Sequence, residues 1–394
     1  VAVKIAMFTD SYLPTHDGVV TSLLLTKREL ERMGHQVYVF APKPADASQE
    51  EEGVYYFRSI GFSQYSGYRI PLFPTNKCEL LSKLDVDVIH VHGLLFQAVR
   101  SMLAGRELKR PVVLTFHTMV TEAARFYNFT PFPDWVIQMG LWTYLRILLH
   151  RPEVVVAPTK AIKNEIKRYA PHVKRLEVVP TGVDLDRFNP GIDGSMIRER
   201  YGLQGRKVIL HLGRIAWEKN MDLVVRGFAL LASQEPEARL LIVGEGPAKE
   251  HVRELADELG VGKKVIFTGF VPDEELPLFY AACDVLTLAS KFETQGLVVL
   301  EAMAVGKPVS GIRFRAVAEL IREGENGELF EETPASWSQA TLRLLRDTDR
   351  YRHGALAKAA EFSAGQWATR LLDIYRYAIE AKAGRVNNKP FLKL

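Results

Sequence analysis

Short apolar runs rich in β-branched residues recur along this chain, and helical patterns separate many of them. In the first half the runs are VKIAMF, QVYVFA, VYYFRSI, VDVIHVH, PVVLTFH, VVVAPT and LEVVPT, with helical spacing in TSLLLTKRELERM and KAIKNEIKRY. Strands that are apolar throughout, rather than alternating, are buried on both faces. They arise where helices cross over between parallel neighbours. The pattern starts again in the second half with KVILHLG, ARLLIVG, KVIFTG, VLTLA and KPVSG. Two doubly wound α/β domains in series are the economical reading.

A length of 394 residues suits two domains, each with its own core. The join is expected in PTGVDLDRFNPGIDG, residues 180–194, which has the Pro, Gly and Asp content of a linker. That places one domain over 1–182 and the other over 183–365. A long final helix over 366–386, QWATRLLDIYRYAIEAKAGRV, is expected to cross back to the first. Val1 to Phe8 reads as a strand, so no export signal is expected. The most apolar stretch, Trp135 to Leu149, is broken by Gln138, Thr143 and Arg146 and falls short of the ~20 residues a spanning helix needs. Two cysteines, Cys78 and Cys283, make neither a disulfide framework nor a metal pair and fit a reducing, cytoplasmic setting. Residues 1–182 hold 22 Lys and Arg against 17 Asp and Glu, whereas the remainder holds 29 against 30. The surplus in the first half suits an anionic substrate or membrane surface. No nucleic-acid partner is expected.

In open α/β sheets, ligands bind beyond the carboxyl ends of the strands, so those loops carry the chemistry. After VILHLG come Arg214 and Lys219, two cations suited to a diphosphate. Gly244 and Gly246 flank the next strand end and allow close approach to the backbone. Gly269, Phe270 and Val271 follow a third strand and can present backbone groups to a nucleotide base. In KFETQGLVVLEAMAVGKPV, residues 291–309, a polar turn runs into an apolar helix. The helix is expected to start near Gln295 or Gly296 and to end at Gly306-Lys307-Pro308. Amides of Thr294, Gln295, Gly296, Leu297 and Val298 would then face an anion, aided by the helix dipole. Glu293, just outside the helix, can accept hydrogen bonds from sugar hydroxyls. Glu301 lies further along the helix and can hold the two hydroxyls of a ribose. Two polyols with a diphosphate between them describe a nucleotide-sugar.

The first half supplies candidate acceptor-side groups. FTDSYLPTHDGVVTS runs from the first strand into a helix, with Gly18 where an outer phosphate could approach and Asp17 beside it. It contains no GxGxxG, so it is no dinucleotide fingerprint. His117 ends another strand, in LTFHTM. His90 and His92 share one strand face and lack a third ligand at metal spacing, which favours a structural role. The Asp-x-Asp pairs Asp85/Asp87 and Asp184/Asp186 lie away from the cationic loop. With Arg214, Lys219 and a helix start available, the chemistry is expected to need no metal or other cofactor.

FETQGLVVLEAMAVGKPV resembles the E-x7-E motif of retaining GT-B glycosyltransferases of family 4. GRIAWEKN resembles that family's phosphate site, GFV its base loop, and TFHTM, VVAPTKAIK and VVPTGVDLDRFNP its middle motifs. The likeness covers essentially the whole chain. It implies two Rossmann-like domains facing a central cleft, the first binding acceptor and the second binding nucleotide-sugar. It also implies retention at the anomeric carbon and a donor such as UDP-glucose or GDP-mannose. It assigns Glu293 to the donor sugar, Glu301 to the ribose, Arg214 and Lys219 to the diphosphate, and His117 to the transferred hexose. Asp17-Gly18 departs from the Gly-Gly common in the family, which makes Asp17 an acceptor contact or a residue that orients the loop.

Within the family, the first loop, TFHTM and PTK most resemble the branch that glycosylates diacylglycerol or related lipids. In KAIKNEIKRYAPHVKR, Ile162, Ile166, Tyr169 and Val173 share a face flanked by Lys160, Lys163, Lys167 and Arg168. That pattern suits an anionic interface. The aromatic-rich residues 126–145 suit an acyl-chain groove. A peripheral location on the inner face of the cell membrane is therefore expected. Closure about residues 180–194 would keep water from the donor. A soluble or polyprenyl-linked glycan acceptor is the alternative. A phosphorylase or epimerase on the same plan, or a nucleotide-sugar sensor without activity, are rivals of other classes.

Overall fold

The computed structural model describes residues 2–15, 17–44, 51–61, 69–71, 77–117 and 132–385. The chain divides into two units, Val1–Gly182 with Ala364–Leu394, and Val183–Ser363.

The first unit contains strands β1 (Lys4–Phe8), β2 (Gln36–Pro42), β3 (Val54–Phe57), β4 (Ser59–Gly61), β5 (Arg69–Pro71), β6 (Val88–Val91), β7 (Val112–Thr115), β8 (Val154–Ala157) and β9 (Leu176–Val178). Seven of them form one parallel sheet in the order β3-β2-β1-β6-β7-β8-β9. β4 and β5 make a separate antiparallel pair. The run VYYFRSI, expected as one strand, is thus two, with exposed Arg58 between them outside both. β1 shows why the apolar runs do not alternate. Ile5 and Met7 face one core and Ala6 and Phe8 the other, so all four are covered.

One of these cores holds Leu23 and Leu30 of the helix Gly18–Arg32 together with Trp367, Leu371 and Tyr375 of the final helix, Ala364–Lys382. That final helix starts two residues before the expected 366, and residue 386 lies outside the described residues. Trp367 is fully buried, and its Nε1 donates to Thr26 Oγ1 at 2.8 Å. Tyr375 Oη lies 2.7 Å from His90 Nδ1, and His90 Nε2 lies 2.7 Å from Thr115 Oγ1. The imidazole of His90, on β6, therefore has a partner at each nitrogen. Burial first, and then His117, drive its pKa down to about 3.

The other core holds Leu94, Trp142, Leu145, Ile162 and Ile166. Ile162 and Ile166 belong to the helix Lys160–Tyr169, capped by Thr159, whose Oγ1 accepts from Ile162 N at 3.3 Å. Both isoleucines are fully buried, and Tyr169 stacks on Trp142 at 4.1 Å. The apolar face expected to meet a membrane is spent on the protein's own core. Only the cationic side of this helix remains outside.

The second unit contains β10 (Lys207–Leu212), β11 (Ala238–Val243), β12 (Val265–Gly269), β13 (Val285–Leu288), β14 (Val309–Ile312) and β15 (Gly327–Phe330), all parallel, in the order β12-β11-β10-β13-β14-β15. The short run GELF of β15 gives no strand signal in the sequence because an acid interrupts it. Glu328 is nevertheless buried, accepting from Tyr351 Oη and Arg343 Nε at 2.9 Å each.

Trp367→Ala is expected to cost about 3–5 kcal/mol by opening a cavity, whereas Trp367→Phe loses mainly the Thr26 hydrogen bond, about 1 kcal/mol. Denaturant titration of both variants measures this. The buried histidine makes stability pH-dependent. The unfolded chain protonates His90 near its ordinary value of 6.5, while the native state resists to about 3. Its contribution is complete above 6.5 and is lost as pH falls, by up to about 1.4 kcal/mol per pH unit for one proton. His90→Asn is therefore expected to show a shallower loss of stability between pH 6.5 and 4 than the parent.

Candidate functional site

The strand-end loops of the second unit are laced to one another. β10 leads into Gly213-Arg214-Ile215 and then a single 3-10 turn, Trp217–Lys219. Gly213 N donates to Val243 O at 3.0 Å, Ile215 N to Glu245 O at 2.9 Å, and Gly244 N to Gly269 O at 2.9 Å. The loops carrying Arg214, Gly244 and Gly269 thus form one surface. A Cβ at Gly244 would lie 2.1 Å from Gly213 O, and one at Gly246 2.1 Å from Ile215 O. These glycines are required by the neighbouring loop, a reason the sequence reading, which looked to a ligand, did not contain. Beyond Gly269, Phe270 is 69% exposed and Val271 is nearly buried.

Lys219 Nζ lies 2.7 Å from Glu293 Oε1, with the two side chains 23% and 18% exposed. Burial pushes the Glu293 pKa up. The Lys219 ammonium, hydrogen bonds from Lys219 and Ser290, and His211 outweigh it and hold the carboxyl below its ordinary range. Glu293 is therefore an anion at neutral pH, an acceptor of hydrogen bonds only. His211, the penultimate residue of β10, is buried. Its pKa is lowered to about 4 by burial first and then by Lys219.

The helix that follows is Leu297–Ala304, one or two residues later than expected. Its start is set by Gly296, which adopts the left-handed conformation (φ 85°, ψ 63°) that any side chain would strain. Gln295 and Thr294 therefore belong to the approach, and the first helical amides are those of Leu297 and Val298. Gly296 has no side chain with which to cap this end, where the helix dipole is positive. Glu301 sits inside the helix and is 9% exposed. Tyr280, from the helix Leu276–Ala282, donates its hydroxyl to Glu301 Oε2 at 2.6 Å. Burial raises the pKa of Glu301, while Tyr280 and Arg187 counter this. Arg187 itself is paired with Asp273 at 2.8 Å.

In the first unit, His117 follows β7, and its Nε2 lies 3.0 Å from His92 Nδ1, with the rings stacked at 5.2 Å. Burial lowers its pKa to about 4, so the imidazole is neutral at physiological pH. Asp10, just beyond β1, accepts from Leu95 N at 3.1 Å and Gln97 N at 3.0 Å and holds the head of the helix Phe96–Glu107. Asp17 is the cap of the helix Gly18–Arg32, its Oδ1 accepting from Val19 N and Val20 N at 2.9 Å each. Its carboxylate fills the helix-start position where an outer phosphate was expected near Gly18. Residues 126–131 of the expected acyl groove, 126–145, lie outside the described residues. Of the remainder, Trp142 and Leu145 are core and Trp135 and Met139 are exposed. The Asp-x-Asp pairs have local partners. Asp85 pairs with Arg110 at 2.9 Å, Asp87 accepts from Lys4 N at 2.8 Å, and Asp184 accepts from Asp186 N and Arg187 N at 3.2 and 3.1 Å.

Sequence reasoning missed Tyr280, His211, Ser290 and Asp10. Tyr280 lies within an apolar helix, LPLFYAA, where a tyrosine reads as core. His211 did carry a signal, a polar residue near the end of an otherwise apolar strand.

The signature of "Glycosyltransferase Family 4" matches residues 16–187, and that of "Glycosyl transferases group 1" matches residues 195–361. An alpha-monoglucosyldiacylglycerol synthase of Streptococcus pneumoniae is 30% identical over 95% of this chain and 86% of its own length. A mannosylfructose-phosphate synthase of Agrobacterium fabrum is 38% identical over 76% and 73%. Among solved structures, Anabaena Alr3699/HepE in complex with UDP-glucose shares the fold at a TM-score of 0.75, with 19% identity over 95% of this chain and 99% of its own. The chain belongs to the GT-B glycosyltransferases of group 1 and family 4.

Proposed function

We propose that this glycosyltransferase moves a hexosyl group, with retention, from a nucleoside-diphosphate sugar of the UDP-glucose or GDP-mannose type to the hydroxyl of a membrane lipid such as diacylglycerol. The observation that carries the donor reading is the Lys219–Glu293 pair at 2.7 Å, close in the chain to the helix start that Gly296 sets. A cation and an anion side by side suit a ligand whose charged diphosphate adjoins a neutral, hydroxyl-rich ring. Arg214 and Lys219 hold the diphosphate with the amides of Leu297 and Val298. Ionised Glu293 accepts from hydroxyls of the donor sugar. Glu301, its Oε2 bound by Tyr280, offers Oε1 to the ribose. Gly269, Phe270 and Val271 border the base, and neutral His117 hydrogen-bonds the transferred hexose. The second unit is thus the donor domain and the first the acceptor domain.

The acceptor hydroxyl attacks the anomeric carbon from the face the diphosphate leaves. The bond from that carbon to the phosphate oxygen breaks, and the acceptor proton passes to the departing phosphate. Two side-chain cations and helix amides stabilise the developing negative charge, which is the main catalytic contribution. Those groups can do this without a metal. Asp17, engaged as a helix cap, orients its loop rather than touching the acceptor.

The likeness to a diacylglycerol glucosyltransferase supports the lipid acceptor. The likeness to mannosylfructose-phosphate synthase favours a second reading, a soluble sugar acceptor. A panel of nucleotide-sugars with lipid and soluble acceptors, scored for nucleotide release and product mass, separates the two. Binding without nucleotide release would instead indicate a sensor, and dependence on inorganic phosphate a phosphorylase.

Arg214→Ala and Lys219→Ala are each expected to lower kcat by about two decades or more, and near-normal turnover in both would remove this mechanism. Tyr280→Phe, which frees Glu301 to turn, is expected to raise the donor KM about fivefold to tenfold while leaving the acceptor KM unchanged. Steady-state kinetics with each substrate varied measures both.

A further inference from the structure

Of the fourteen large apolar side chains exposed among the described residues, eight lie between residues 95 and 147. Six of the eight fall on two helices of the first unit, and Leu95 and Phe132 lie just before them. Phe96, Val99 and Leu103 stand at three- and four-residue spacing along Phe96–Glu107. Trp135, Met139 and Ile147 line the outer side of Asp134–Leu149, whose Trp142, Leu145, Leu148 and Leu149 face the core. Trp135 is 66% exposed, Met139 59% and Leu103 58%. Tyr144 joins the two helices by donating its hydroxyl to Leu94 O at 2.7 Å. Exposed apolar residues gathered in this way, rather than scattered singly, mark a contact surface.

Charge identifies what the surface meets. Between residues 134 and 175 the chain holds eight Lys and Arg and three Asp and Glu. Arg146 Nε donates to Tyr169 O at 2.6 Å and ties the second helix to Lys160–Tyr169, whose Lys160, Lys167 and Arg168 are exposed. One of the three acids, Glu153, is engaged by Lys174 and Lys382. A second copy of this surface would bring two cationic rims together, whereas an anionic lipid bilayer takes both apolar side chains and cations. Position agrees. Phe96 follows His92 by four residues, so the first helix begins at the carboxyl edge of the sheet where His92 and His117 stand. We propose that the apolar faces of Phe96–Glu107 and Asp134–Leu149, with the cations of Lys160–Tyr169, dock this enzyme on an anionic bilayer. This rests on the lipid-acceptor reading for its purpose, although the surface stands on its own observations. Among the described residues no helix is long and apolar enough to cross a membrane, so the contact would be peripheral.

Sedimentation with phosphatidylglycerol vesicles and with phosphatidylcholine vesicles tests it. The full chain is expected to bind the anionic vesicles more tightly, and added salt to weaken that binding. A Val99→Ser/Leu103→Ser double variant and a Lys167→Glu/Arg168→Glu double variant are each expected to bind at least about tenfold more weakly. Both change exposed side chains, and both are expected to keep the parent's rate on a short-chain diacylglycerol dispersed in water. Parent-like vesicle binding by both variants would overturn the proposal. So would absence of binding by the parent, or a dimer in analytical ultracentrifugation that the first variant abolishes. Vesicle binding lost in the variants, but with no transfer by the parent to any diacylglycerol, would support the surface and refute the lipid acceptor instead.

Discussion

The ion pair between Lys219 and Glu293 is the constraint around which the second unit is arranged. Burying a lysine and a carboxylate is a poor way to gain stability, because the desolvation of both offsets much of their attraction. Here the pair is placed where β10 and β13 deliver their loops, next to the turn that Gly296 makes by going left-handed. Ser290 adds a hydrogen bond to Glu293, and His211 lies within electrostatic reach of both charges. The arrangement holds an ammonium and a carboxylate fixed and partly dry. On the proposed donor reading, a substrate would meet charges already in position, with little reorganisation left for the reaction itself.

A similar economy appears at Glu301 and in the first unit. Tyr280 donates to one oxygen of Glu301 and so restrains the carboxylate from within the fold. His117 is set by His92, and His90 is set by Tyr375 from the final helix and by Thr115. The end of the chain thus reaches the polar row at the strand ends of the first sheet. Asp10 holds the start of the helix that follows β6 in the same manner, through two backbone amides rather than through a ligand.

The two-sheet architecture was legible because buried parallel strands cannot disguise their composition, and Ile5 to Phe8 are covered on both faces whatever the helices look like. Loop residues at strand ends were legible for the same reason, since topology fixes where such loops go. What stayed hidden depended on distant partners. The basic amphipathic pattern of Lys160–Tyr169 is the same whether Ile162 and Ile166 meet lipid or a core, and only tertiary packing shows that they meet a core. Gly244 and Gly246 are equally ambiguous, because a glycine that admits a ligand and one that admits a neighbouring carbonyl look alike. The start of the helix after Glu293 shifted because Gly296 was read as a helical residue, whereas its left-handed backbone makes it the turn before the helix. The role of Tyr280 had no local mark at all.

The most direct test of the donor site is a crystal structure of the protein with UDP or GDP bound. The account predicts the diphosphate within about 3 Å of Arg214, Lys219 and the amides of Leu297 or Val298, with the ribose hydroxyls on the Glu301 oxygen that Tyr280 leaves open. A nucleotide bound away from these loops, or one whose phosphates contact neither Arg214 nor Lys219, would contradict it.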